Sequence, residues 1–378
     1  MEFSVQRADL IKEVGLCQGV VERKTTIPIL SNILLEATGD SVQITATDLE
    51  LGIRSSCPAK VKKGGAATVP AKKLFDYVRQ LGEEEVRFKG TESASGGSVQ
   101  LICGRSQVRM AGLARENFPV LPEFPGKLAV LPPHILLQMI NRTTFAISSE
   151  ESRYTLNAAL LILKAETMTM VATDGHRLAH IETEPSVTQE GYSGVSGEAR
   201  VLVPKKAMTE LAKLLSDAPA DVGIEFAKDN NHLFFRVGSR LLISRLLSGQ
   251  FPNYEAVLPH GNERVALLER EQLAAAVRRV ALFSDERSHI IRLQLSKDEL
   301  KISSAAADSS ESEDTVAATY DAAPLQIGFN WQYLLDFLVA ADASQVTLEL
   351  KDEQSAGQMR PSEEQKLKYR YVIMPMRV

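Results

Sequence analysis

Asp174 and His176 are the residues of this sequence whose types and spacing most resemble a catalytic pair, two positions apart in Thr173-Asp174-Gly175-His176-Arg177. A histidine beside a carboxylate can act as a general base held by its orienting acid, the chemistry of a small-molecule hydrolase. That chemistry needs further groups. No GxSxG elbow, HExxH helix, Walker loop or Rossmann glycine pattern occurs. Cys17, Cys57 and Cys103 are odd in number, widely spaced and form no CxxC pair. They are expected as reduced thiols, with neither a disulfide framework nor a zinc site, and no metal or cofactor is expected. The chain end Met374-Pro375-Met376-Arg377-Val378 offers a different chemistry, since unbranched, polarizable Met side chains adapt to varied apolar partners.

The elements that position these residues recur along the chain. Ile44-Thr45-Ala46-Thr47-Asp48 echoes Met170-Val171-Ala172-Thr173-Asp174, with Ile302-Ser303-Ser304-Ala305 as a degraded third version, so Thr-Asp reads as a turn that the fold repeats. Val69-Pro70-Ala71-Lys72-Lys73 is echoed at Val203-Pro204-Lys205-Lys206-Ala207 and more faintly at Phe329-Asn330-Trp331. In each, a strand residue enters a helix at Pro or Asn, suited to the first turn or the N-cap. A strand feeding an amphipathic helix heads each copy, at Phe3-x-Val5, Leu128-x-Val130 and Ala266-x-Leu268. A strand and Pro exit close the first two, at Val108 to Pro119 and Leu241 to Pro252; Tyr369 to Met374 takes that place in the third. Four elements in one order predict three similar domains, 1–126, 127–262 and 263–378, with boundaries at the loop-like stretches Pro119 to Pro125 and Pro259 to Asn262. Alternating runs such as Leu160-x-Ile162 and Val346-x-Leu348-x-Leu350 read as half-buried antiparallel strands. The fold class is therefore α+β, with two helices and an antiparallel sheet per domain.

The 378 residues suit several domains at roughly 100 to 200 residues each. Hydrophobic residues at 44% are too many for a mainly disordered chain, and no apolar run reaches the ~18 residues of a membrane span. Met1-Glu2-Phe3-Ser4 lacks the basic and apolar regions of a signal peptide, which points to the cytosol. The net charge is -5, yet the six predicted helices, Gln6 to Cys17, Val69 to Leu81, Pro133 to Ala146, Pro204 to Leu215, Glu269 to Leu282 and Asn330 to Ala340, together carry +5, leaving -10 on the remainder. Such segregation can draw a polyanion to one surface and repel it elsewhere.

Over its whole length the sequence resembles the bacterial sliding clamps, the beta subunit family of DNA polymerase III. The resemblance rests on Thr25-Thr26-Ile27-Pro28-Ile29-Leu30-Ser31-Asn32, Thr47-Asp48-Leu49-Glu50, Val69-Pro70-Ala71-Lys72-Lys73 and Tyr154-x-Leu156-Asn157. It also includes Val171 to Leu178, Phe251-Pro252-x-Tyr254, Ile327-Gly328-Phe329-Asn330 and Tyr371 to Arg377. The family implies a DNA-clamp fold and two chains joined head to tail in a ring, with helices lining the pore. It implies a non-enzymatic processivity factor that encircles duplex DNA without sequence preference and tethers the replicative polymerase, the clamp loader and other motif-bearing proteins. Its place is the cytoplasm, on the nucleoid, with no membrane contact.

By position, the resemblance implies a peptide pocket of Leu156, Thr173, Gly175, His176, Arg177, Leu178, Pro252, Val257, Val372, Met374, Pro375, Met376 and Arg377. DNA contacts fall on Lys24, Lys72, Arg153 and Tyr154, with Thr155 also matching and Glu150 disfavoured because it repels phosphate. The helix pattern adds Arg23, Lys73, Arg142, Lys205, Lys206 and Lys213 as inward candidates. The subunit interface joins Arg105, Val108, Arg109 and Met110 to Leu282 and Phe283, with acidic Asp308, Glu311, Glu313 and Asp314 alongside. Two departures stand out: Val378 at the very end, and the charged stretch Lys351 to Lys368, which is longer than the family pattern. A peptide scaffold that stays monomeric is the remaining alternative to a ring.

Overall fold

The structure, a computed structural model, describes residues 1–22, 26–82, 85–91, 97–185, 191–219, 222–305, 311–363 and 367–377. Among these are six α-helices: α1 (Arg7–Cys17), α2 (Ala71–Gln80), α3 (Pro133–Asn141), α4 (Lys205–Ser216), α5 (Arg270–Ala281) and α6 (Trp331–Ala340). They fall two to each repeat. On α1 the buried Leu10, Val14 and Cys17 share one face, the spacing that sequence periodicity requires of a helix laid on a sheet. Asn330 caps α6, its side chain accepting the Gln332 N–H at 2.8 Å. Pro70 stands at the N-cap of α2 and Pro204 ends the preceding strand of α4, so both precede the helical first turn expected of them. The predicted helix from Pro133 to Ala146 stops at Asn141. There the Thr143 and Thr144 hydroxyls bond back to the carbonyls of Met139 and Ile140 at 2.8 and 2.6 Å, and Thr144–Ala146 makes a separate 3-10 turn.

Residues 1–134 with 206–246 form one compact unit, and 135–205 with 247–378 form another. In the first, a five-stranded sheet runs in the order Lys60–Lys63, Glu2–Gln6, Glu85–Thr91, Ser98–Cys103, Ser106–Ala111. Phe3 stacks on Phe88 inside it, with ring centroids 4.6 Å apart. A second, eight-stranded sheet pairs Leu51–Pro58 with Arg240–Arg245, so strands from the first and second repeats lie side by side. The joint is tied by Arg240, whose guanidinium donates to both Glu13 carboxylate oxygens at 2.6 and 3.0 Å, both side chains being buried.

The other unit repeats this plan. Its twelve-stranded sheet pairs Arg177–Thr183 of the second repeat with Leu367–Ile373 of the third, setting Leu178 opposite Val372 and His180 opposite Arg370. Sheets therefore continue across the expected domain boundaries instead of closing within each domain. Ala158–Leu163 and Met168–Thr173 are buried at every residue, not at alternate ones, because a hydrophobic cluster with Phe251 and Tyr254 covers the face that periodicity assigns to solvent. The charged stretch 351–363 forms a hairpin with Gln345–Leu350 and Gly357–Pro361, turned where Asp352 accepts the N–H groups of Gln354 and Ser355. Cys17, Cys57 and Cys103 are buried, and none is in a disulfide among the described residues. No helix of the described residues is long and apolar enough to cross a membrane.

Candidate functional site

The catalytic pairing of Asp174 with His176 is not formed. Asp174 Oδ1 accepts the backbone N–H groups of His176 and Arg177 at 3.0 and 3.1 Å, and Oδ2 takes Arg177 Nε at 2.9 Å. The carboxylate closes a turn; it does not orient the exposed imidazole. Thr173 completes the turn, donating its hydroxyl to the Arg177 carbonyl at 2.6 Å and accepting the Gly175 N–H at 3.1 Å. The same bonds recur at the first repeat: Thr47 to the Leu51 carbonyl at 2.9 Å, Leu49 N–H to Thr47, and Glu50 and Leu51 N–H to Asp48. Gly175 has φ 90°, as Leu49 has φ 79°, so the turn requires the left-handed region. Glycine carries no strain there, and a Cβ would stand 3.0 Å from Arg153 Nη1, which itself donates to the Asp174 carbonyl.

Arg177 is anchored. Its side chain is 10% exposed, paired with Asp174 and, at 2.5 Å, with Asp336 of α6, and it donates to the Phe145 carbonyl at 2.7 Å. Its guanidinium lies 4.3 Å from the Tyr333 ring centroid. Burial works against the charge, yet Tyr371, Asp336 and Asp174 together raise its pKa above the ordinary arginine value. Arg177 therefore fixes the wall to α6.

The apolar floor comes from strands. Leu160, Ile162, Val171, Leu178, Leu202 and Val372 form one buried cluster with Phe251 and Tyr254. Beyond it, Met374 is 44% and Val257 43% exposed. The tail is held at its backbone: Met374 N–H donates to the His176 carbonyl at 2.9 Å and Met376 N–H to Gly328 at 2.8 Å. Thus His176, Leu178, Val372 and Met374 come together on one face, with Pro252 exposed on the segment that carries Phe251 and Tyr254. Leu156 is buried at the end of a 3-10 turn, its carbonyl bonded to Ser148; Pro375 is half-buried and Arg377 exposed. Sequence reasoning missed Tyr333, Asp336, Phe145 and His180. Only Phe251-Pro252-x-Tyr254 signalled the covering segment, since a contact 159 residues apart such as Arg177 to Asp336 leaves no local pattern.

Among the cationic candidates, Lys72 and Lys73 are exposed on α2, and Arg153 and Tyr154 are exposed in the turn Glu151–Leu156, with Arg153 paired to Glu150 at 3.1 Å. Lys24 and Arg23 lie outside the described residues. Several others are spoken for: Lys206 pairs with Asp48, Lys213 with Glu210 at 2.7 Å, and Lys205 reaches the Ile147 carbonyl. Arg142, an inward candidate, is 5% exposed and stacked over Tyr369, so it belongs to the core. Of the interface candidates, Leu282 and Phe283 are 80% and 45% exposed, which excludes them from the core, whereas Met110 is buried. Arg105 and Arg109 are exposed and Val108 is half-buried. Glu311 is exposed, Glu313 pairs with Lys301 and Asp314 with Arg279, and Asp308 and Val378 lie outside the described residues. Among the described residues no group of three His, Cys, Asp or Glu side chains is placed to hold a metal ion.

Family models for the DNA polymerase III beta subunit match this chain three times: the N-terminal domain at residues 1–122, the central domain at 130–253 and the C-terminal domain at 255–377. The beta sliding clamp of Pseudomonas aeruginosa is 35% identical over the full length of both chains, and that of Chlamydia trachomatis 33% identical over all of this chain and 87% of the relative. Among solved structures, the P. aeruginosa clamp bound to griselimycin superposes with a TM-score of 0.91 at 35% identity over both whole chains. The Caulobacter crescentus beta sliding clamp, with polyethylene glycol at its proposed motif-tethering region, gives 0.90 at 32% identity, covering all of this chain and 99% of the other. With the turn, the tail and three repeated helix pairs in place, the chain belongs to the DNA polymerase III beta subunit family, the bacterial beta sliding clamps, and has their three-domain fold.

Proposed function

We propose that this protein is a DNA polymerase processivity clamp, a homodimeric ring around duplex DNA that tethers the polymerase and catalyses no reaction itself. The observation that carries this is the tail seated on the Thr173–Arg177 turn, where the Met374 N–H donates to the His176 carbonyl next to the Leu178–Val372 pair and leaves the Met374 side chain exposed. Such a site suits short apolar segments of a replicative polymerase, the clamp loader and other motif-bearing proteins, and the pocket residues from Leu156 to Arg377 named above are proposed to form it. The domains are proposed at 1–126, 127–262 and 263–378, and the site of action is the bacterial cytosol, on the nucleoid.

For ring closure, the strand Ser106–Ala111 pairs only with Ser98–Cys103 among the described strands. Glu311–Thr319 pairs with Glu299–Ala305 and meets Arg264–Glu269 only at its last two residues, so residues 311–317 also leave one edge open. Two open edges fit a head-to-tail contact that continues one sheet into the next subunit. Arg105, Val108, Leu282, Phe283, Glu311 and Glu313 are the proposed contact residues; buried Met110 supports the strand from within.

For DNA, Lys72 with Lys24, Arg153 and Tyr154 are the proposed contacts. Phosphate contacts hold the duplex without reading bases and leave the ring free to move. Replacing Lys24 and Lys72 with Glu should shorten the products of clamp-dependent primer extension at low salt, equally on templates of different sequence. A loss that followed template sequence would sink the electrostatic channel.

A further inference from the structure

One face of the twelve-stranded sheet carries a polar feature beside the apolar groove. Along Leu367–Ile373, Val372, Arg370 and Lys368 point to one face, opposite Leu178, His180 and Glu182 of Arg177–Thr183. A hollow of about 930 Å³ opens there, lined by Arg370, Arg360, Glu349 and Lys368 among others. Its carboxylates are committed. Glu349, buried, takes Arg360 Nε at 2.5 Å and Gln358 Nε2 at 2.6 Å; Glu184 pairs with Lys368 at 3.5 Å, and Glu363 takes the Ser344 hydroxyl at 2.7 Å. Half-buried Arg370 is different. It donates to the neutral Gln358 Oε1 at 2.7 Å and, at 3.5 Å, to the Pro259 carbonyl, and forms no ion pair among the described residues. Burial lowers its pKa, Glu349 offsets part of that, and the like charge of Arg360 lowers it further. A partly desolvated guanidinium with another cation beside it is stabilised by an anion that reaches both.

We infer that Arg370, with Arg360 beside it, forms a carboxylate-accepting subsite for an acidic residue flanking the apolar motif of a groove-bound partner. This rests on the groove proposed above. Arg370 lies two residues from Val372 on the same strand face, ~7 Å away, and four residues from Met374, ~13 Å away. An extended peptide spans that distance in about four residues. Tyr254, packed on His180 at 5.7 Å between ring centroids, and Pro259 cross the intervening surface, so the flank passes over them to reach the guanidinium.

The test compares labelled peptides that share an apolar clamp-binding motif and carry Asp-Asp or Asn-Asn about four residues outside it, one such pair with the flank before the motif and one with it after. By fluorescence anisotropy at ~50 mM salt, the wild-type protein should bind one acidic-flank peptide about fivefold more tightly. Arg370→Gln should remove that preference while leaving the Asn-Asn affinity unchanged, which also reports that the groove is folded. Arg370→Lys should restore part of it. Equal affinity for wild type within both pairs, or a preference that survives Arg370→Gln, overturns the subsite. Should Arg370→Gln weaken the Asn-Asn peptide too, wild type at ~500 mM salt decides, because screening must abolish an ionic preference. Failure of wild type to bind any of the peptides would instead refute the groove, and the subsite with it.

Discussion

His180 sits on the wall strand with 7% of its surface exposed, packed against Tyr254 and opposite Arg370. Burial, reinforced by the Arg370 charge, pushes its pKa down to about 4. The sign follows from linkage: the unfolded chain, with a histidine pKa near 6.5, binds the proton more readily than the folded one. The stabilisation is therefore complete above about pH 6.5 and is lost as pH falls toward 4. It is of order 3 kcal/mol, and urea unfolding should show that much extra acid sensitivity in wild type over His180→Gln across this window. Parallel pH profiles for the two proteins would mean that His180 is solvated and not part of the packed floor. The other residues of the wall work through geometry: Asp174 holds backbone N–H groups, as Asp48 does in the equivalent turn of the first repeat, and Arg177 bridges to Asp336.

At the scale of elements, the wall turn, the covering segment that carries Phe251 and Tyr254, and the tail after Ile373 make the proposed groove. The strand Leu367–Ile373 is locked into the sheet on both sides, by Arg177–Thr183 and by Gly357–Pro361. Residues beyond it hold on by backbone bonds from Met374 and Met376. Removing Met374 to Val378 should thus leave the fold intact, because no core strand is lost, while taking away the adaptable apolar contact. Anisotropy should show at least a tenfold loss of affinity for an apolar polymerase-derived peptide, about 1.4 kcal/mol or more. Unchanged affinity with an unchanged circular dichroism spectrum would remove the tail from the groove.

For the whole molecule, exposed Leu282 and Phe283 follow directly on α5, close in sequence to Arg279, whose partner Asp314 lies on the strand Glu311–Thr319 with its open edge. Truncating both to Ala should cost ~2 to 5 kcal/mol each if they are sealed between subunits, weakening dimerisation by a few powers of ten. Being exposed in the single chain, they contribute little to its own core, so circular dichroism should stay native. Sedimentation that still found a dimer at micromolar concentration would exclude this patch as the main apolar seal.

Repetition carried much of this protein in its sequence. Helix starts at Asn330 and beside Pro70, the Thr-Asp turns, and the strands feeding α1, α3 and α5 follow from local rules about caps, periodicity and short-range hydrogen bonding, which operate within a few residues. The Thr173–Leu178 turn and the tail were likewise singled out through their resemblance to one family. Pairing between Leu51–Pro58 and Arg240–Arg245, or between Arg177–Thr183 and Leu367–Ile373, was not, because nearly two hundred residues separate the partners and nothing local specifies register. The same distance hid which charges are available. Lys206, Lys213 and Arg142 read alike as inward cations, yet Lys206 and Lys213 are exposed and paired with Asp48 and Glu210, Arg142 is buried against Tyr369, and Arg177 is held by Asp336. A side chain's type is written in the sequence, but its freedom to meet a partner depends on what the rest of the chain has already placed beside it.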